Sequence, residues 1–295
     1  MNRKRAAGIV YVAVLFTAFS SILIRLSNAP PLAIAAWRMI FATVMLLPFS
    51  RRNGHARIRV KTLALLTLSG VFLALHFATW ITSLSYTSVV HSTVLVTTHP
   101  LIVLLGSAIF LGTRLKVPRL VATGVAIVGA VILAGGDAIG GREPTIVGDV
   151  LAFAGAVAVA AYLMIGSYVR RTVSAGRYNA IVHIVAAIVL IAFAATFDQR
   201  LAPYAPREFA LFAALAFFCT ILGHSLMNWA LRYVPAPDVS LAIILEPVFA
   251  SIMALFLFGE IPGITTVAGA VIVLLALAYV SVGTRDRSGA SSPPV

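Results

Sequence analysis

Residues Tyr86 to Pro100 read YTSVVHSTVLVTTHP, and residues Tyr233 to Pro247 read YVPAPDVSLAIILEP, so that in each stretch a Tyr precedes a Pro by fourteen positions. Beyond each Pro an apolar run closes in Gly, as Leu111-Gly112-Thr113 in one copy and Phe258-Gly259-Glu260 in the other. The shared spacing of helix-breaking and turn residues marks an internal repeat. The residue before each Pro is ionisable, His99 in the first copy and Glu246 in the second.

The apolar character of both copies extends over the whole chain. Of its 295 residues 61% are hydrophobic and 11% charged, with a mean hydropathy of +1.03, whereas a soluble domain carries about 25% charged residues. The composition is that of an integral membrane protein. Apolar spans are expected at 7–26, 31–49, 62–83, 89–111, 117–135, 146–169, 178–197, 207–231, 238–258 and 263–282. Each is long enough, at ~1.5 Å rise per residue, to cross a hydrocarbon layer of about 30 Å. The runs are nearly continuous, unlike the alternating segments of a membrane barrel, so the spans are read as helices. The opening MNRKR with Ala6 to Leu26 has the outline of a secretory signal, but an apolar stretch of about 20 residues suits a span, and it is read as an uncleaved first helix. A single cysteine, Cys219, excludes an intrachain disulfide and a Cys-based zinc site, and no metal or cofactor is expected.

The net charge of +13 would suggest nucleic acid in a soluble protein. Here the basic residues lie between spans, so no nucleic-acid partner is expected and the charge reports orientation. With the N-terminus cytoplasmic, seventeen basic residues, from Arg3, Lys4 and Arg5 to Arg285 and Arg287, fall inside. Four, Arg25, Arg142, Arg200 and Arg207, fall outside. Both termini are therefore expected to be cytoplasmic. Five spans per repeat then run in opposite senses, the inverted-repeat plan of many secondary transporters. The first repeat is assigned to residues 1–143 and the second to 144–284, with 285–295 a disordered cytoplasmic tail and the Gly-rich stretch 135–148 a linker.

A polar side chain without a partner is costly inside a bilayer, so its position shows which helices face a cavity or one another. Span 1 carries Thr17, Ser20 and Ser21; span 3 carries His76, Thr79, Trp80 and Ser83 on one face; span 4 carries Thr93, Thr97, Thr98 and His99. Span 6 offers Tyr162, span 8 the stripe His224, Ser225, Asn228 and Trp229, and span 9 Glu246 and Ser251. Spans 5 and 10 hold almost nothing polar and are expected at the periphery, packed through Gly124, Gly129 and Gly269. Hydroxyls in such helices more often bond a neighbouring backbone than a ligand, whereas stripes of His, Trp and Asn fit a binding site equally well.

Pro100 and Pro247 each remove an intrahelical hydrogen bond, and a kink or hinge is expected at each. Glu246 beside the second kink serves either proton coupling or support of the freed backbone. Arg38, the only Arg well inside a span, either meets an anionic group or Glu246 or snorkels to the outer surface. Trp37, Tyr11, Tyr86, Tyr168 and Tyr279 lie near span ends, where interfacial anchoring is the expectation.

Ten helices in two inverted halves, Glu246-Pro247 followed by Leu257 to Glu260, and the equivalent Pro100 and Leu111-Gly112 together resemble the drug/metabolite transporter (DMT) superfamily of EamA type, over about residues 6–284. The resemblance implies a bacterial inner-membrane exporter of amino acids, metabolites or toxic compounds, with the aromatic amino-acid exporters (YddG) as the subgroup named first. Relatives often close the first repeat's run with Gly-Glu, where this chain has Thr113, so that coupling through such a Glu would fall to Glu260 alone. The expected mechanism is alternating access about a midplane cavity lined by Ser20, His76, Trp80, His99, Tyr162, His224, Asn228, Trp229 and Glu246. The expected partners are a small amphipathic substrate, the lipid bilayer and protons. No ATP-binding motif, HExxH or paired intramembrane Asp is present, which disfavours an embedded enzyme.

Overall fold

Helix is the only regular element among the described residues, 3–50, 58–87, 92, 95–135, 145–259 and 261–283, of the computed structural model. In a bilayer core every backbone N–H and C=O must be satisfied within the protein, and a helix does so locally. The first span is α1 (Arg3–Thr17) and α2 (Phe19–Arg25), the second α3 (Pro31–Ser50) and the third α4 (Val60–Ser83). Next come α5 (His99–Leu111) and α6 (Val117–Gly135), then α7 (Ile146–Val169) and α8 (Ala175–Thr196). The eighth span is continuous through α9 (Pro206–Ala214), the π-helical α10 (Leu215–Ser225) and α11 (Leu226–Ala230). The ninth is divided into α12 (Ala236–Ile243) and α13 (Glu246–Phe258), and α14 (Ile264–Gly283) is the tenth. Seven of these spans are long and apolar enough to cross a membrane, and three shorter apolar helices, His99–Leu111, Val117–Leu133 and Ile264–Val280, complete the ten. Thr93, Arg142, Glu260 and the tail 285–295 lie outside the described residues.

From the turn before each Pro onward, the two copies take the same form. Both Pro residues sit in the first turn of a new helix, α5 after a turn at Thr97–Thr98 and α13 after one at Ile244–Leu245. The expected kinks are therefore breaks: proline lacks an N–H that the first turn has no use for, and its fixed φ suits a helix start. Each helix runs 13 residues from the ionisable position and ends at a glycine of positive φ, 64° at Gly112 and 69° at Gly259, the left-handed cap that only glycine adopts without steric cost.

The most extensive pairings are α4 with α7, α6 with α14, and α3 with α8. Between α6 and α14 the backbones nearly touch: a Cβ on Gly269 would lie 2.2 Å from the Leu133 amide nitrogen, and one on Gly129 2.8 Å from Ile272 Cγ2. Gly124 has open space instead and does not make this contact. The outer faces of the pair expose Val121, Val125, Val128, Leu274 and Leu275, apolar residues that suit lipid.

The ends of the bundle are tied by polar contacts between distant segments. At one end Arg119 pairs with Asp238 at 3.0 Å, joining the start of α6 to α12. At the other, Ser27 donates to Glu208 at 2.5 Å and Trp37 Nε1 to the Leu201 carbonyl at 2.8 Å. The half-buried Trp37 ring packs among Phe41, Phe209 and Phe212. Tyr11, Tyr86, Tyr168 and Tyr279 are exposed, as anchoring requires.

Candidate functional site

A cavity of about 200 Å³ lies where the two halves of the chain meet, beside both helix breaks. The first half contributes Thr17, Ser20 and Ser21, Arg38, then His76, Phe77 and Trp80, then Val96, Thr97, His99 and Leu133. The second half contributes Val159, His224, Met227, Ile243, Glu246, Pro247, Ala250 and Ser251.

One wall is aromatic because α4 places His76 and Trp80 one turn apart, with rings 5.8 Å apart and 5° from parallel. Phe77 extends the wall and meets the His224 ring edge-on at 5.4 Å. His76 donates from Nδ1 to the Gly155 carbonyl at 3.0 Å, and His99 from Nδ1 to the Val96 carbonyl at 2.8 Å. A carbonyl only accepts, so in the neutral ring Nε2 remains as an acceptor. That atom of His99 is buried and has no hydrogen-bond partner.

The charged groups on the cavity are Arg38 and Glu246. Arg38 is 0% exposed, so it does not snorkel. It donates from Nε to Thr220 at 2.8 Å and from Nη1 to Ser20 at 3.3 Å, and its guanidinium lies 4.3 Å from the Phe77 ring centroid. Glu246 opens α13, where the positive end of the helix dipole favours a carboxylate. The acceptor Thr220 belongs to the π-helical α10, in which it also donates to the Leu215 carbonyl, five residues back, at 3.4 Å. π-Helical turns are rare and concentrate at functional sites.

Ser20, His76, Trp80, His99, His224, Glu246, Arg38 and Pro247 are thus brought together. Tyr162, Asn228 and Trp229, expected with them, are not among the lining residues, nor is Pro100, expected only as a hinge. Tyr162 donates to Asn228 Oδ1 at 2.7 Å, and Asn228 donates to Asn179 Oδ1 at 2.7 Å. Arg170 completes this buried network by donating from Nε to the Asn228 carbonyl at 2.8 Å. Met227 takes the cavity face next along from His224, which turns Asn228 toward α7 and α8. The Trp229 ring packs on Tyr233 at 5.3 Å, and Pro100 is buried in α5.

Sequence reasoning missed Asn179 and His183, both buried polar residues of α8. Their i, i+4 spacing inside span 7 is the signal used for spans 3 and 8. Phe77, Leu133, Val159 and Met227 carry no such signal, since apolar residues that line a cavity look like any other core.

A solved crystal structure superposes with a TM-score of 0.80 at 16% identity, covering 97% of this chain and 99% of its own; at that identity the likeness is one of fold. The "Riboflavin transporter" of Rhizobium johnstonii (strain DSM 114642 / LMG 32736 / 3841) is 32% identical over 104 residues. The chain spans about a third of the length of that curated relative, 34%, and the match takes in 35% of this chain. The model of the EamA-like transporter family matches residues 4–135 and again residues 146–282. Two matches that between them take in most of the chain, on a bundle of ten apolar spans, place this multi-pass membrane protein in the EamA-like transporter family.

Proposed function

We propose that the chain is a secondary exporter of the bacterial inner membrane, both termini cytoplasmic, that moves amino acids, aromatic ones first, or related small amphipathic metabolites by alternating access. The observation that carries this reading is the cavity between the halves, beside two interrupted helices, an arrangement that carriers with inverted repeats use to hold substrate near the midplane. The excess of basic residues in the segments assigned to the inside supports the orientation. At about 200 Å³ the cavity is smaller than the ~300–1,000 Å³ of sites for drug-sized ligands, which favours a substrate of amino-acid size. The stacked His76 and Trp80 rings and Phe77 suit a flat apolar portion, and Ser20, Thr97 and His99 suit polar groups.

Purified protein in liposomes, offered the twenty amino acids, riboflavin and cationic drugs, tests the assignment. Saturable exchange of one or more amino acids is the expected result. Turnover only of the drugs would replace it by multidrug export, and channel-like current in a planar bilayer would replace the carrier itself. Glu246 is the proposed proton site. In Glu246→Gln, exchange is expected to continue while its response to an imposed pH gradient disappears; an unchanged pH response removes the role.

A further inference from the structure

Arg38 is a guanidinium wholly removed from solvent in the middle of a span, yet its donors are not all used. Thr220, Ser20 and the Phe77 face hold Nε, Nη1 and the plane, while Nη2 is buried without a hydrogen-bond partner. All three supports are uncharged. An ionic group costs several kcal/mol to carry inside a membrane, and a cation kept there with a donor unpaired lacks its strongest available partner, a bidentate oxyanion. The cavity wall to which Arg38 belongs has a single acid among its described residues, Glu246.

We propose that Arg38 is a specificity-determining residue that anchors a carboxylate, or a monoanionic group of similar shape, of the transported molecule; this rests on the carrier reading above. Thr220 holds Nε and Ser20 holds Nη1, leaving Nη2 as the free donor. The stacked wall of His76, Phe77 and Trp80 takes the apolar remainder of the same molecule. The other titratable groups that line the cavity with Arg38 are Glu246 on α13 and the imidazoles of His76, His99 and His224 on α4, α5 and α10. Glu246 is the group with which an incoming carboxylate shares the charge of Arg38. The selected substrate class is therefore a small molecule with an acid at one end and a flat apolar group at the other, whether a simple monoanion or a zwitterion whose ammonium turns to Glu246.

Four probes with the same ring separate these terms: 3-phenylpropionate, L-phenylalanine, 2-phenylethylamine and 2-phenylethanol. Each is titrated against purified full-length protein, reading the rise in melting temperature. The two carboxylates are expected to stabilise the wild-type protein at concentrations at least about tenfold below those needed for the alcohol, the worth of a charged hydrogen bond. In Arg38→Gln that preference is expected to vanish, with Arg38→Lys in between because a point charge replaces the fork. Equal response to acid and alcohol in the wild type overturns the anchor, as does a folded Arg38→Gln that keeps the preference. Should Arg38→Gln fail to fold, the wild-type ranking alone decides. Liposome exchange of a neutral compound by protein indifferent to both acids overturns the anchor and leaves the carrier intact. Absence of exchange for every compound offered overturns the carrier reading instead.

Discussion

Asn228 is the residue whose removal best separates the wall of the cavity from what supports it. It is 0% exposed, and both ends of its side-chain amide are used, Oδ1 by Tyr162 and Nδ2 by Asn179, each at 2.7 Å. Hydrogen bonds between membrane helices are worth ~0.6 kcal/mol on average and at most ~1.7. Losing two in Asn228→Leu is therefore expected to cost about 1–3 kcal/mol, toward the upper end because the Tyr162 hydroxyl and the Asn179 carbonyl are left buried without partners. Tyr162→Phe removes one bond and is expected to cost ~0.6–1.7 kcal/mol. Because the two substitutions delete the same bond, the double variant should be more stable than the sum of the singles predicts, by ~0.6–1.7 kcal/mol. Reversible unfolding in mixed micelles, with SDS as denaturant, measures all four corners of the cycle. Additivity to within ~0.3–0.5 kcal/mol would refute the network. So would a loss of substrate affinity in Tyr162→Phe without loss of stability, since that would put Tyr162 on the cavity.

Gly269→Ala places a Cβ 2.2 Å from backbone of α6 and is expected to lower the melting temperature through about 1–3 kcal/mol of overpacking, whereas Gly124→Ala, with open space around it, should leave it unchanged or raise it; similar effects would mean that α6 and α14 do not pack as described. Gly112→Ala meets no atom within 4 Å and so suffers only from its φ of 64°, a cost of ~1 kcal/mol that Gly112→Asn should partly recover; chemical denaturation compares the two. The Arg119–Asp238 pair is partly exposed, at 21% and 17%, and Arg119→Ala should cost no more than ~1 kcal/mol, shrinking further in high salt. A larger, salt-insensitive loss would point to a buried role for Arg119.

Membrane location, helix and the count of ten spans follow from composition and run length alone, because a bilayer leaves the backbone no other way to satisfy itself. The repeat was equally plain in Tyr86–Pro100 and Tyr233–Pro247, since proline and glycine act through local sterics that need no neighbours. Stripes of polar residues identified most of the helices that meet the cavity, for a polar side chain must avoid lipid wherever it goes, while Arg38 of α3 and Leu133 of α6, the latter from a span expected at the periphery, line it without a stripe. They did not say which side chains would reach it. His224 lines the cavity and Asn228, four residues later, does not, because His224 lies near the end of the π-helical α10 while Asn228 lies in α11, where the demands of Asn179 and Tyr162 claim it from another direction. Arg38 looked able to snorkel from its distance to the span end; Thr220, Ser20 and Phe77, brought from three other helices, hold it inside. Whether proline kinks a helix or starts a new one depended in the same way on the turns before it. Spacing along one helix settles which face a residue lies on, while depth, partner and the filling of the cavity are properties of several helices packed together.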